Sequence, residues 1–442
     1  VTSAVVVAHG VGGRQDLPVP FSYAIAGAVA AVVVSFIALG LLRRTPRSRG
    51  ASAGRPLPAP LARVIDSAPF AWMLRIVGVV VVGWIIVAAL LGPDDNLNPT
   101  AGFVYVVLWV GVCVVASLLL GPVVRATNPL RTVHLLISRA ARRDPDAGLV
   151  RLPDRLGRWP AAAWLAAFLW LELCAPDRAT IPVLTLWFAL YLSVTFVLAL
   201  IFGARWFDRG DAFETYSTAV ARLAPFGRRD DGVLVIRNPL DGLEGARSLP
   251  GDAAVVLVLL GGTLFDGLSN SPTWVRFAQG SDLTPAVAAT LGLAICMAAV
   301  AGVYLACLWA AGQLGGVPWR DLPRQLSGSL VPIVIGYAVA HYYSLLVLVG
   351  QQTVQNMSDP LGRGDDLLGV AGNGISYAWI QPTTVAVIQV LAVVVGHVVG
   401  VFAAHERGVR LFPPGRAIAA QVPLMVAMVV FTITGLTLLF AG

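Results

Sequence analysis

Long apolar runs, separated by short polar stretches dense in arginine, make up most of this chain. A helix needs about 20 apolar residues to cross the hydrocarbon core of a bilayer. Ten segments meet or approach that length: about 21–42, 70–91, 102–124, 159–174, 181–203, 252–268, 284–312, 328–350, 381–404 and 418–440. The fourth and sixth are the shortest. The sequence lacks the alternating segments of about ten residues that mark a transmembrane barrel. Helices must therefore satisfy the backbone in lipid. The pattern predicts an all-α, polytopic transmembrane helical bundle, one integral membrane domain over 1–442.

Arginine placement predicts an orientation. With the N-terminus outside, the cytoplasmic loops are 43–69, 125–158, 204–251, 313–327 and 405–417, and they carry 26 arginines. Only Arg14, Arg178, Arg276 and Arg363 fall outside, and Arg75 sits at the inner end of the second span. Positive charge collects on the cytoplasmic side of membrane proteins, so both termini are expected outside, in a plasma membrane. Arg43 and Arg44 follow the first apolar run instead of preceding it. That order predicts an N-out anchor, not a cleaved signal. Within the inner loops, residues 129–143 predict a helix lying in the membrane interface. Asp211 and Glu214 form a capping-box pattern for a short helix through about Leu223. Gly232 to Arg237 reads as one strand.

Composition excludes a soluble protein. Of 442 residues, 57% are hydrophobic and 12% charged, with mean hydropathy +0.78. Soluble domains carry about 25% charged residues. The net charge of +7 comes from 31 basic residues, all arginine, and their loop positions account for it by attraction to anionic lipid. The implied partner is the lipid bilayer, not nucleic acid. The four cysteines stand in apolar runs without a CxxC pair, which excludes a disulfide framework or zinc ribbon. Neither a phosphate-cradling loop nor a GxSxG or HExxH motif occurs.

Candidate chemistry lies in the polar residues at membrane depth, which are costly there and hence informative. Glu172, Asp266, Tyr337, His341, Tyr342 and Gln389 are the candidates for a ligand pocket. His341 and Gln389 fall at similar depth on spans eight and nine, while Glu172 and Asp266 fall near the outer ends of spans four and six. These positions predict one pocket in the outer half. A plainer reading stands beside it: His341 and Gln389 as helix–helix hydrogen bonds, and Asp266 as the end of its helix. Trp164, Trp170 and Trp187 read as a lipid-facing belt. His397 lies about 12 Å deeper than Gln389, so a haem held by His341 and His397 is disfavoured. A divalent metal is the possible cofactor, with His341 and His9 as its candidate ligands. His405 reads as an interfacial residue beside Arg407. In the outer loop 351–380, Asp359, Asp365 and Asp366 read as solvated loop acids.

Several segments together carry a family resemblance: AHGVGGRQDLPVP before the first span, NPLRT after the third, FDGLS closing the sixth, AHYYSLLVLVGQ followed by SDP, and GHVVGVFAAHERGVRLF. On these the chain resembles the multi-pass actinobacterial membrane proteins called fenitrothion hydrolase-like. The resemblance implies hydrolysis of an organophosphate ester, chemistry that commonly uses a metal to activate water. It assigns no catalytic residue. The expected function is binding or transport of a small molecule or metal ion through an outward-facing polar cavity on spans four, six, eight and nine. The alternatives are a membrane-embedded, metal-assisted hydrolase and a structural subunit of an envelope assembly.

Overall fold

The computed structural model describes residues 14–43, 45–46, 48–245 and 248–440; His9, a candidate metal ligand, lies outside them. The chain is an all-α bundle of ten principal helices: α1 (Phe21–Leu42), α2 (Ala68–Leu91), α3 (Thr100–Leu120), α4 (Trp159–Leu173), α5 (Ile181–Phe202), α6 (Asp252–Ser269), α7 (Pro285–Gly315), α8 (Val331–Ser358), α9 (Pro382–Leu411) and α10 (Ala417–Leu439). Among the described residues, nine helices are long and apolar enough to cross a membrane; α4, at 15 residues, is not on length alone.

Contacts at its two ends nevertheless make α4 traverse the bundle. Before its first turn Arg158 pairs with Asp252, the first residue of α6, at 2.8 Å. At its other end Glu172 shares the Tyr342 hydroxyl with Asp266 from the last turn of α6. Two parallel helices thus start and finish together, about 20 Å apart end to end.

Burial separates inner from outer helices. The apolar windows of α6 and α8 are each 61% buried, against 17% for α2 and 22% for α5. On α2, Ile76, Val80 and Leu90 are exposed, as are Leu186 and Leu190 on α5. Such rows of exposed apolar side chains are stable only against lipid. The helices that carry the candidate residues are therefore the central ones.

The α8–α9 pair sets the depths that matter. The helices are antiparallel and meet through glycine: a Cβ on Gly336 would stand 2.4 Å from the Ala392 carbonyl, and one on Gly396 would stand 2.6 Å from the Pro332 carbonyl. Small residues here let two backbones touch, a contact that replaces the hydrophobic driving force lipid does not provide. The register puts His341 level with Gln389 and leaves His397 level with Pro332.

Several element boundaries differ from expectation. The third span stops at Leu120, because Gly121 (φ 101°) and Pro122 break the helix before the short turn Val123–Thr127. Helix α8 continues to Ser358, two turns past the apolar run, and α9 continues through Leu411. Polar side chains on these extra turns find protein partners, so leaving the apolar stretch does not end the helix.

The arginine-rich face carries the remaining structure. Pro129–Ala140 is an amphipathic helix with Val133, Leu136 and Ile137 exposed and His134 buried against Phe207. A small antiparallel sheet, in the order β1-β3-β2, joins β1 (Arg55–Pro56), β2 (Phe226–Arg228) and β3 (Leu234–Ile236), the last within the expected strand. The helix Ala212–Ala221 starts at Asp211, whose carboxylate accepts the Glu214 backbone N–H at 2.9 Å.

Candidate functional site

Three central helices bring their polar residues to one point. Helices α4, α6 and α8 all leave the arginine-rich face in the same direction, and at about the same height they present Glu172, Asp266 and the pair His341–Tyr342. The Tyr342 hydroxyl lies 2.8 Å from Glu172 Oε1 and 3.2 Å from Asp266 Oδ2. His341 Nε2 lies 2.8 Å from the same Asp266 oxygen. Tyr337, one turn before His341, stacks on the imidazole at 5.6 Å between ring centres. All five side chains are buried, Asp266 at 1% exposure.

Local sequence explains the convergence. Tyr337 and His341 stand four residues apart, so they share a helix face, and Tyr342 turns toward the neighbouring helices. Asp266 stays within its helix, which runs on to Ser269; its carbonyl accepts from the Ser269 hydroxyl and the Asn270 side chain. The expectation that Asp266 ends its helix therefore fails. Next to it, Gly267 leaves room for the Tyr337 hydroxyl, which a Cβ there would approach to 2.6 Å. Glu172, the next-to-last residue of α4, is 7% exposed and does not reach water as its position suggests.

Charge defines what this arrangement does. One hydroxyl hydrogen cannot serve both carboxylates at once, and Glu172 Oε2 has no hydrogen-bond partner among the described residues. Among the described residues, with both acids ionised and the imidazole protonated, two carboxylates face one imidazolium, and Arg178, which donates to the Leu173 carbonyl beside Glu172 at 3.2 Å, is a further positive charge nearby. A buried site in that condition draws in a further cation, a proton included. Among the described residues, a cleft of about 790 Å³ lies beside the cluster, lined by Arg14, Asp16, Leu268, Ser271, Thr437 and Leu438. It belongs to α6, α10 and the stretch before α1, not to spans four, eight and nine as expected. Leu438 also packs at Gly267, so the cleft and the cluster share a wall.

The other candidates fall elsewhere. Gln389 is buried level with His341, with its Oε1 unpartnered among the described residues, but it makes no hydrogen bond to the cluster there. His397 Nδ1 contacts the Val393 carbonyl of its own helix at 2.8 Å. His405 is a buried tie: its ring nitrogens contact Gln421 Oε1 at 3.1 Å and the Arg43 carbonyl at 2.9 Å, joining α9 to α10 and to the end of α1. No group of three or more His, Cys, Asp or Glu side chains among the described residues has metal-binding geometry. Backbone N–H groups of its own loop hold the Asp359 carboxyl below the usual carboxylate range, and the Ser358 hydroxyl at 2.7 Å, joined by the Ala371 and Val370 N–H groups, does the same for Asp366. Trp164 and Trp187 do not form a lipid belt: they pack on each other at 5.8 Å and against Tyr191 and Phe168 inside the bundle. Of these three tryptophans only Trp170 is exposed, while Trp164 and Trp187 are half-buried.

A second polar cluster, on the arginine-rich face, escaped the sequence reading. Asn128 caps the helix Pro129–Ala140 with its oxygen and donates from its amide to Asp211 (2.9 Å) and Glu214 (3.1 Å). Arg131 clamps Glu214 at 2.6–3.1 Å and reaches Asp208 at 2.9 Å, while Tyr191 donates to Asp211 at 2.9 Å. Burial, with Glu214 alongside, pushes the Asp211 carboxyl up to about 6. The legible signal was NPLRT: Asn-Pro opens a helix, and the arginine three residues after Asn128 needs an acid. The same Asn-Pro-Leu opening recurs at Asn238, which caps Pro239–Glu244.

No protein-family model, curated protein or solved structure matches this chain. Its membrane character therefore rests on its own helices.

Proposed function

We propose that this is a plasma-membrane carrier whose working part is the cluster Glu172–Tyr342–Asp266–His341. The cluster takes up a cation, either a proton or a metal ion, and couples it to a small molecule admitted from the cleft beside α6 and α10. The observation that supports this reading is the convergence of two buried carboxylates, a hydroxyl and an imidazole at the meeting of three central helices. We also propose that the arginine-rich face is cytoplasmic, which puts the cleft on the outer side.

The organophosphate hydrolysis implied by the resemblance would draw on the same residues, with a carboxylate activating water. Cation uptake and turnover are separable. Purified protein in vesicles is examined by infrared spectroscopy of carboxyl protonation and by calorimetric titration with sodium, manganese and zinc ions. Asp266→Asn is expected to abolish the protonation change or the metal binding seen in the wild type. If wild type and Asp266→Asn behave alike in every titration, the proposal is wrong. Release of phenol from a phosphotriester, lost in the same variant, would favour the hydrolase.

A further inference from the structure

The arginine-rich face holds a small recess of about 30 Å³, open at its mouth, that the cation reading does not use. It lies where α8 begins and α9 nears its end, and its charged lining is Arg222, Arg324, Arg407 and Glu244. The balance of charge around it is uneven. Arg222 and Arg158 share the single carboxylate of Asp252, at 3.2 and 2.8 Å. Arg407 and Arg410 share Glu244, at 3.3 and 3.6 Å. Arg324 has no ion pair among the described residues and stands exposed at the mouth. Three arginines and one acid line the recess, and with their partners Arg158, Arg410 and Asp252 and the neighbouring Arg43–Glu406 pair counted, arginines exceed acids by three among the described residues.

That surplus is not the diffuse charge of solvated loops. The side chains of Arg222 and Arg407 are only 13% and 29% exposed. The Arg407 Nε is buried and lacks a hydrogen-bond partner among the described residues. Such a donor is costly unless an acceptor meets it. The Asn128–Arg131 cluster on the same face shows what a satisfied arrangement looks like: Arg131 and Arg125 stand among three acids, Asp208, Asp211 and Glu214. The recess has the opposite sign of imbalance.

We infer that this recess binds a phosphate group, borne either by an anionic lipid headgroup or by a soluble phosphate. Guanidinium forks match the oxygens of a phosphate in pairs, which a carboxylate-poor arginine recess favours over a carboxylate ligand. Its height, at the first turn of α8, is that of the membrane boundary, where basic pockets between helices take headgroups.

The test uses the full chain in neutral detergent, comparing wild type with Arg324→Gln, Arg324→Lys and a remote control, Arg63→Gln. Arg324 is exposed, so its replacement leaves the fold in place. Native mass spectrometry reads retention of phosphatidylglycerol against phosphatidylcholine, and a thermal shift reads inorganic phosphate. A preference for phosphatidylglycerol that falls about tenfold in Arg324→Gln, partly recovers in Arg324→Lys and persists in Arg63→Gln identifies a headgroup site. A phosphate-dependent rise in Tm lost in Arg324→Gln, without lipid preference, identifies a soluble phosphate. Equal retention of both lipids with no phosphate shift overturns the inference. So does an equal effect of Arg63→Gln and Arg324→Gln.

Discussion

Two buried polar clusters, one toward each face of the bundle, use similar residues to opposite ends. Around Asn128, each carboxylate oxygen of Asp211 and Glu214 has at least one donor, from an amide, a tyrosine, a guanidinium or the backbone. The cluster joins the helix Pro129–Ala140 to the helix Ala212–Ala221 and to α5. Around Tyr342, two carboxylates compete for one hydroxyl, and the positive partner is an imidazole that titrates near neutral pH in water. The first arrangement serves folding, because removing any member strands the others. In the proposed reading, the second gives up stability for responsiveness to a cation. Completeness of pairing, not the presence of buried charge, separates the two.

That contrast can be broken by mutation. The largest effect is expected from Glu214→Ala, which strands Arg131 in a largely buried position; breaking a buried pair costs about 3–5 kcal/mol. Yield of monodisperse protein on size exclusion and a lowered Tm are the readouts, and an unchanged Tm would mean that the cluster is not a lock. Next comes Tyr342→Phe, which leaves two carboxylates without their shared donor and should cost about 1–3 kcal/mol. The opposite sign is expected for Glu172→Gln. Removing one charge from an under-compensated site should raise stability by about 0.5–2 kcal/mol, as relief of a functional strain commonly does, while cation uptake is lost. A destabilised Glu172→Gln would put this site with the structural clusters.

The smallest effect is a slope. Asp211 holds its proton up to about pH 6 in the folded chain, against an ordinary carboxyl value of 3.8. Between those values the folded state binds a proton that the unfolded state has released. Its contribution to stability is therefore full below about pH 4 and declines as pH rises to about 6. Asp211→Asn should lack this decline, which thermal melts of both proteins at stepped pH would detect as a converging difference.

Much of this was legible in the sequence. Apolar run length located the ten helices to within a few residues where a Gly-Pro pair or a polar extension did not intervene. Helical rise alone put Glu172, Asp266 and His341 within reach of one another, because each depth follows from counting residues along a straight element. Counting could not reveal that Tyr342 bridges the two acids or that Gln389, at the right height, makes no bond to them. Height is a one-dimensional quantity, whereas contact depends on the rotation of each helix about its axis. The aromatic cluster of Trp164, Trp187, Tyr191 and Phe168 was misread for the same reason: tryptophan suits both a lipid interface and a packed interior.

The sequence by itself determined that this chain lives in lipid as a helical bundle, since a backbone in hydrocarbon has few ways to satisfy its hydrogen bonds and the apolar runs select one. It also determined which residues would be expensive to bury. Tertiary structure alone decided which of those costs are offset. Asn128 and Arg131 lie 83 residues before Asp211 and Glu214 in the chain, and the two pairs balance each other only after α3, α5 and the surface helices dock. Glu172 and Asp266 are brought together by the packing of α4, α6 and α8, where they share the Tyr342 hydroxyl. Charge pairing acts over a few ångströms, and only the packing of helices sets distances on that scale.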